Sequence, residues 1–282
     1  MIIDIHTHTF PEKIAAKAIG KLSLAAHCKT HTDASIPGLI RSMERSGVDR
    51  SVLAPVATSP QQVEKINDAA AVNCEAFENQ GILSFGCIHP EYENYRDELA
   101  RIQTMGLKGI KIHPVYQGMD IDDVRFLRIL DRAAELGLVV LTHGGQDIGF
   151  PGVVHVSPAM CRHVMDQIGA FKLIVAHMGG WRDWEQVPEY LAGSGAMIDT
   201  SFSIGSFTPL EDGYWKPGEE KMLSPQEAGS LIRVMGAENV IFGSDSPWSD
   251  QADCIRHLKE TGLSPEELAL VLGENARKLL NL

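Results

Sequence analysis

The chain has 282 residues, 44% of them hydrophobic and 22% charged, and a formal net charge of −12. An acidic chain repels phosphate backbones, which argues against nucleic acid as a partner, although net charge does not exclude a locally basic groove. No apolar run reaches the ~20 residues of a membrane span, no leader-like segment precedes the first strand, and five scattered cysteines without a C-x-x-C point to reduced thiols in a cytoplasmic protein.

Strand-like and helix-like runs alternate along the chain. "IIDIH" is followed by helical periodicity over 36–47, and "RSVLAPV" by a helix over 60–80. "GILSFGCIHP" leads to a helix over 95–105, and "LKGIKIHP" to one over 121–136. "LVVLTHGG" precedes a helix over 157–168, and "FKLIVAHMGG" a stretch over 181–191. "GAMIDTSF" leads to a helix over 224–235, and "NVIFGSD" to one over 251–261. A last helix over 264–280 starts on Ser-Pro-Glu-Glu, the signature of a capped N-terminus. Eight β-then-α units predict a parallel sheet closed into a (β/α)8 TIM barrel of class α/β, a single domain over residues 1–282; such a barrel takes ~250 residues. A doubly wound fold needs a phosphate-binding glycine loop after the first strand; "HTHTFPE" stands there instead. Long loops are expected after strands 1 and 7, over 9–35 and 202–223. Both leave the strand ends where barrel sites lie, so they are lid candidates. The Tyr214-Trp215 pair either closes over a ligand or packs within its own loop.

Residues two apart on a strand share a face. His6 and His8 therefore point together toward the barrel interior, with Asp4 one layer deeper as an acceptor that could orient a histidine. His143, His177 and Asp245 each end an otherwise apolar strand at the same end of the predicted barrel. A buried cluster of imidazoles and a carboxylate is costly unless something organises it. A divalent transition metal does so, and these donors suit zinc, with manganese, iron or nickel as alternatives. His6, His8, His143 and Asp245 are the expected ligands. Lys111 and His113 share a face in "GIKIHP" and are expected at the substrate, Lys111 as partner of a carboxylate or of developing negative charge. Trp181 and Trp248 follow strands 6 and 8 as candidate walls for a flat substrate. His89 either lines the pocket or is structural. His27, Cys28 and His31 lie in a loop without a second cysteine pair and are taken as incidental.

The stretches "IIDIHTH", "GIKIHP", "LTHGG", "VAHMGG" and "FGSDSPW" together resemble the amidohydrolase superfamily. Within it, the chain resembles the branch of aminocarboxymuconate-semialdehyde decarboxylase, γ-resorcylate decarboxylase and related hydrolases. The resemblance implies one metal held by His6, His8, His143 and Asp245. It also implies that His177 helps activate a metal-bound water, that Asp245 shuttles its proton, and that the chain forms a homodimer. Some superfamily members carboxylate a lysine at the position of Lys111.

The expected activity is metal-dependent hydrolysis of an amide, lactone or other ester of a small, carboxylate-bearing substrate. The alternative is metal-dependent, non-oxidative decarboxylation of a small aromatic or unsaturated acid, in which Lys111 is the anion partner. The ligand set does not separate the two; the short βα loops favour the hydrolase. A non-catalytic metal protein is the third reading, though structural zinc sites are usually closed and cysteine-rich. A two-metal deoxyribonuclease is disfavoured by the acidic charge and by the lack of a glutamate in "GIKIHP".

Overall fold

A computed structural model describes residues Met1–Leu282. The apolar runs form parallel strands: β1 (Ile3–Thr7), β2 (Arg50–Leu53), β3 in two pieces (Ile82–Ser84 and Gly86–Cys87) either side of Phe85, β4 (Gly109–Ile112), β5 (Val139–Thr142), β6 (Leu173–Val175), β7 (Met197–Asp199) and β8 (Val240–Ile241). Each pairs with its neighbour in sequence. The backbone N–H groups of Ile5 and Asp245 donate to the carbonyls of Phe242 and His6, both at 2.9 Å, and join the last strand to the first. The architecture is the expected α/β TIM barrel.

The helices are α1 (Glu12–Ala26), α2 (Ile36–Ser46), α3 (Val63–Ala76), α4 (Tyr95–Thr104), α5 (Pro114–Gln117), α6 (Val124–Glu135), α7 (Pro158–Ile168), α8 (Val187–Tyr190), α9 (Pro225–Met235), α10 (Gln251–Lys259), α11 (Pro265–Ala269) and α12 (Asn275–Leu280). Serine caps start several of them. Ser224 and Ser264 form capping boxes with Glu227 and Glu267, each followed by proline at the first helical position.

Apolar side chains on the outer strand faces pack against the helices in the larger core; Ile112, Phe126, Leu130, Val140, Ile198 and Phe242 belong to it. A second cluster fills the barrel itself, with Ile3, Ile5, Val52, Phe85, Leu141, Ile174 and Ile241. Ala276 and Leu280 of α12 join this inner cluster, so the last helix closes the N-terminal end of the barrel. The opposite end is left for polar groups.

Three local expectations change. The stretch 9–35 is not a plain loop, because the Ala/Lys/Leu-rich run from Glu12 to Ala26 forms α1, as its helix propensities favour. The stretch 181–191 holds only a single turn of 3₁₀ helix and α8. The last helix is broken by a π turn over Leu270–Glu274. There the Val271 carbonyl accepts the Phe242 N–H of the β8 edge at 2.8 Å, which draws it from the ordinary helical ladder.

Candidate metal centre and substrate pocket

β1 delivers both histidines to the barrel mouth, but not by simple alternation. Ile3 and Ile5 face the inner cluster, whereas the Asp4 carboxylate accepts from Ser244 and from Gln251 of α10. A register shift between Asp4 and Thr7 then turns His6 inward. Asp4 therefore does not orient an imidazole. It accepts the backbone N–H of His6 at 3.2 Å and ties the strand to α10.

The residue that orients His6 is Asp199, at the end of β7. Its Oδ2 lies 2.8 Å from His6 Nδ1, and both groups are buried. A carboxylate oxygen accepts, so Nδ1 carries the proton and Nε2 presents its lone pair to the pocket. Around His6 Nε2 converge His8 Nε2 at 3.1 Å, Lys111 Nζ at 2.9 Å and Asp245 Oδ1 at 3.5 Å; His8 Nε2 and Asp245 Oδ1 are 3.1 Å apart. Gly243 makes room for this group, since a Cβ there would lie 3.0 Å from the His6 Cβ.

His143 and His177 form a second convergent pair. His143 Nε2 faces the Gln146 carbonyl at 3.2 Å, and His177 Nδ1 faces the Ser201 carbonyl at 3.1 Å. Carbonyls only accept, so these outer nitrogens carry the protons of two neutral rings. The inner nitrogens, His143 Nδ1 and His177 Nε2, then meet lone pair to lone pair at 3.0 Å. That contact is repulsive unless a cation lies against it. The His177 ring lies 5.4 Å from that of His6 and 4.7 Å from that of His143, between two donor clusters that line the same basin: His6, His8 and Asp245 on one side, and His113, His143 and Asp147 on the other, so that His143 converges with the second cluster and not directly with the first. His177 and Asp245 both leave their strands with left-handed backbone, at φ 62° and 64°. This costs non-glycine residues of order 1–3 kcal/mol each and is typical of functional sites.

Burial dominates the electrostatics. It lowers His6, His113 and His143 well below the usual histidine range, with Lys111 adding to the effect on each. Burial lowers Lys111 to about 8. Burial alone would raise Asp245, but the His6 and His8 rings outweigh it and hold the carboxyl below its ordinary value. The basin thus combines buried imidazoles, His6, His113 and His143, whose charged form is disfavoured, with a carboxylate held below its ordinary value, a donor set that fits a divalent transition metal.

The pocket above has ≈ 610 Å³ of open space. His6, His8, Lys111, His113, His143, His177, Trp181, Asp245 and Trp248 all line it. His113 stacks on His143 with ring centroids 4.4 Å apart. Its Nε2 lies 3.4 Å from Asp147 Oδ2, and its Nδ1 has no partner. Sequence reading missed both Asp147 and Asp199. Asp199 ends a strand like the other polar residues and carried the same signal; Asp147 lies in a loop and carried none. His89 is absent from the lining. Cys28 lines the pocket, while His27 pairs with Asp212. Tyr214 stacks on His27, and Trp215 donates to the Ala26 carbonyl. This pair therefore clasps α1 and does not itself line the pocket.

A sequence model of the family described as amidohydrolase matches residues 3–282. The chain belongs to the amidohydrolase family. This amidohydrolase is 25% identical over 338 aligned positions, covering 99% of its own length and 91% of the relative's, to 2-amino-3-carboxymuconate-6-semialdehyde decarboxylase from Dictyostelium discoideum. Among solved structures it is similar to 2,6-dihydroxybenzoate decarboxylase complexed with 2,6-dihydroxybenzoate, at TM-score 0.71 and 15% identity, covering 100% and 99% of the two chains. It is also similar to a probable 2-pyrone-4,6-dicarboxylic acid hydrolase from Acinetobacter baumannii with citric acid bound, at TM-score 0.65 and 15% identity, again covering 100% and 99%. At these identities the structural likeness shows the fold. No helix of the chain is long and apolar enough to cross a membrane.

Proposed function

We propose that this amidohydrolase is a metal-dependent, non-oxidative decarboxylase of a small aromatic or unsaturated carboxylic acid, with hydrolysis as the second reading. The observation that carries it is Lys111. It is the only lysine or arginine lining the pocket, it is buried, and its Nζ is 2.9 Å from a ring nitrogen of the donor cluster. A fixed ammonium there anchors a substrate carboxylate beside the metal position. The decarboxylase relative that aligns over 99% of the chain supports the same choice.

His6, His8, Asp245 and His143 would hold the metal, zinc first, with manganese and iron as alternatives. When bound, it supplies Lewis-acid polarisation of substrate oxygens. Lys111 binds the carboxylate, and Trp181 and Trp248 flank the flat body of the substrate and keep water away. Asp245 moves a proton from solvent to the carbon bearing the carboxylate, with His177 orienting the adjacent group. The bond to the carboxylate carbon then breaks, its electron pair restores the unsaturated system, and CO2 leaves. The substrate is a free small molecule, and the chain works without nucleic acid or membrane, in the cytoplasm, as a homodimer.

The second reading is favoured by the neutral, carbonyl-fixed His177 beside the cluster and by the hydrolase among the structural neighbours. Asp245 would then take a proton from the attacking water and hand it to the leaving group. The test is a panel of hydroxybenzoates, unsaturated acids, lactones and aryl esters given to metal-loaded protein, with CO2 release and ring opening both recorded. CO2 release that disappears in Lys111→Met and Asp245→Asn supports the decarboxylase; lactone or ester cleavage without CO2 overturns it in favour of the hydrolase.

A further inference from the structure

The charges lining the pocket are asymmetric. Lys111 sits at the floor against His6, and no second lysine or arginine lines the cavity. The wall formed by the loop after β5 carries the opposite sign. Asp147 is 7% exposed, and its Oδ1 is pinned by the Gly149 N–H at 2.7 Å. Its Oδ2 stands 3.4 Å from His113 Nε2 and 4.0 Å from His143 Nε2, makes a hydrogen bond to neither, and lines the pocket. Gln146, also in the wall, donates its amide to a further carboxylate, Asp183, at 3.2 Å. Arg182, next to the wall residue Trp181, does not line the pocket; its guanidinium lies over the Trp181 ring and donates to the Glu219 carbonyl.

The floor also holds the Asp245 carboxylate, 3.5 Å from the same His6 Nε2 that Lys111 faces, so Lys111 is the single side-chain cation open to a substrate carboxylate, and a second carboxylate placed against the Asp147 wall meets only like charge. Like charges brought together in a desolvated site cost several kcal/mol, whereas a hydroxyl or amino group gives the free carboxylate oxygen the donor it lacks. We propose that Asp147 is a specificity-determining residue that selects monocarboxylic acids bearing a hydroxyl or amino donor and excludes dicarboxylic acids. The proposal rests on the reading of Lys111 as the carboxylate anchor. It departs from the two carboxyl groups in the substrate names of both the probable 2-pyrone-4,6-dicarboxylic acid hydrolase and the 2-amino-3-carboxymuconate-6-semialdehyde decarboxylase to which the chain is similar.

The test is binding rather than turnover, so that it is decided separately from the reaction. Metal-loaded protein is titrated with 3-hydroxybenzoate, 3-aminobenzoate and isophthalate, read by calorimetry and by tryptophan fluorescence. The expected result is that both donor-bearing monocarboxylates bind at least about tenfold more tightly than isophthalate. Asp147→Asn, nearly isosteric and uncharged, should remove most of that gap, chiefly by admitting isophthalate, and Asp147→Ser should do the same without an amide. Isophthalate binding as tightly as the monocarboxylates, a preference unchanged in both variants, or no binding of any of the three overturns the proposal. Discrimination without CO2 release on the wider panel leaves it standing and removes the decarboxylase reading instead.

Discussion

His6 Nδ1 and Asp199 Oδ2 lie 2.8 Å apart, so that a carboxylate at the end of β7 sets the tautomer of a histidine on β1. The Asp199 Oδ1 atom also accepts the backbone N–H groups of His177 and Ser201, at 2.9 and 3.0 Å. One carboxylate thereby positions two of the inward-facing rings. Asp199→Asn is expected to weaken metal binding by about 10–100-fold, the usual effect of losing such a support. Competition with a chromogenic chelator measures it, and unchanged affinity would show that the Nδ1 proton is held by other means.

Removing the ligands themselves gives a sharper result. Wild-type protein is expected to carry about one transition-metal equivalent per chain. The His6→Ala/His8→Ala double variant should retain almost none while keeping its circular dichroism. Elemental analysis by mass spectrometry also identifies the metal. About two equivalents would favour a carboxylated Lys111 between two ions, and none, even after adding zinc or manganese, would remove the metal from the mechanism.

Lys111 makes stability depend on pH in the metal-free protein. Burial lowers it from 10.5 to about 8. Between those values the unfolded chain binds the proton and the folded chain does not, so stability rises with pH across that window. Below about 8 the buried charge costs the folded state on the order of 3 kcal/mol. Lys111→Met should therefore be more stable than wild type at neutral pH, with the difference shrinking as pH climbs through that window. Urea melts at several pH values test this. The same variant should bind substrate carboxylate about a hundredfold more weakly.

Gly243 tests the crowding behind His6. Alanine there places a methyl 3.0 Å from the His6 Cβ and 3.4 Å from the Asp199 carboxyl carbon. The expected cost is about 1–3 kcal/mol of stability, as for other overpacked sites, together with weaker metal binding as His6 is displaced. Thermal melts and chelator competition would show both, and a variant that loses stability but keeps full metal affinity would mean that the strain relaxes away from the ring.

Trp215 tests the clasp over α1. Its indole donates to the Ala26 carbonyl and packs edge-on against Phe207, 5.1 Å away. Trp215→Ala should leave the barrel folded but speed proteolytic cleavage near α1. Mass spectrometry of the early fragments locates the cut, and cleavage at the wild-type rate would mean that the clasp does not depend on this ring.

The barrel was legible in the sequence because each strand is an apolar run ending in a polar residue or a turn, and because Ser-Pro starts mark the helices. The convergence of His6, His8 and Asp245 was legible for the same reason: strand ends in a parallel barrel meet at one mouth. The direction of Asp4 was not. A single shift of register between Asp4 and Thr7 reverses the alternation, and nothing in "IIDIHTH" announces it. Asp147 escaped because its position depends on how a glycine-rich loop folds back toward His113, which no period in the sequence encodes. The π turn near Val271 escaped because it answers to a distant backbone group, the N–H of Phe242.

The bond from the Asp245 N–H to the His6 carbonyl also bears on how the chain is made. During synthesis the first strand emerges while its partner on β8 is still more than two hundred residues from being translated. Throughout that interval the edge of β1 that will face β8 has no mate, and the inner apolar side chains await Ala276 and Leu280 beneath them. Such an edge is a template for pairing with another chain. Until β8 is in place, pairing with another chain competes with closure of the barrel at this edge.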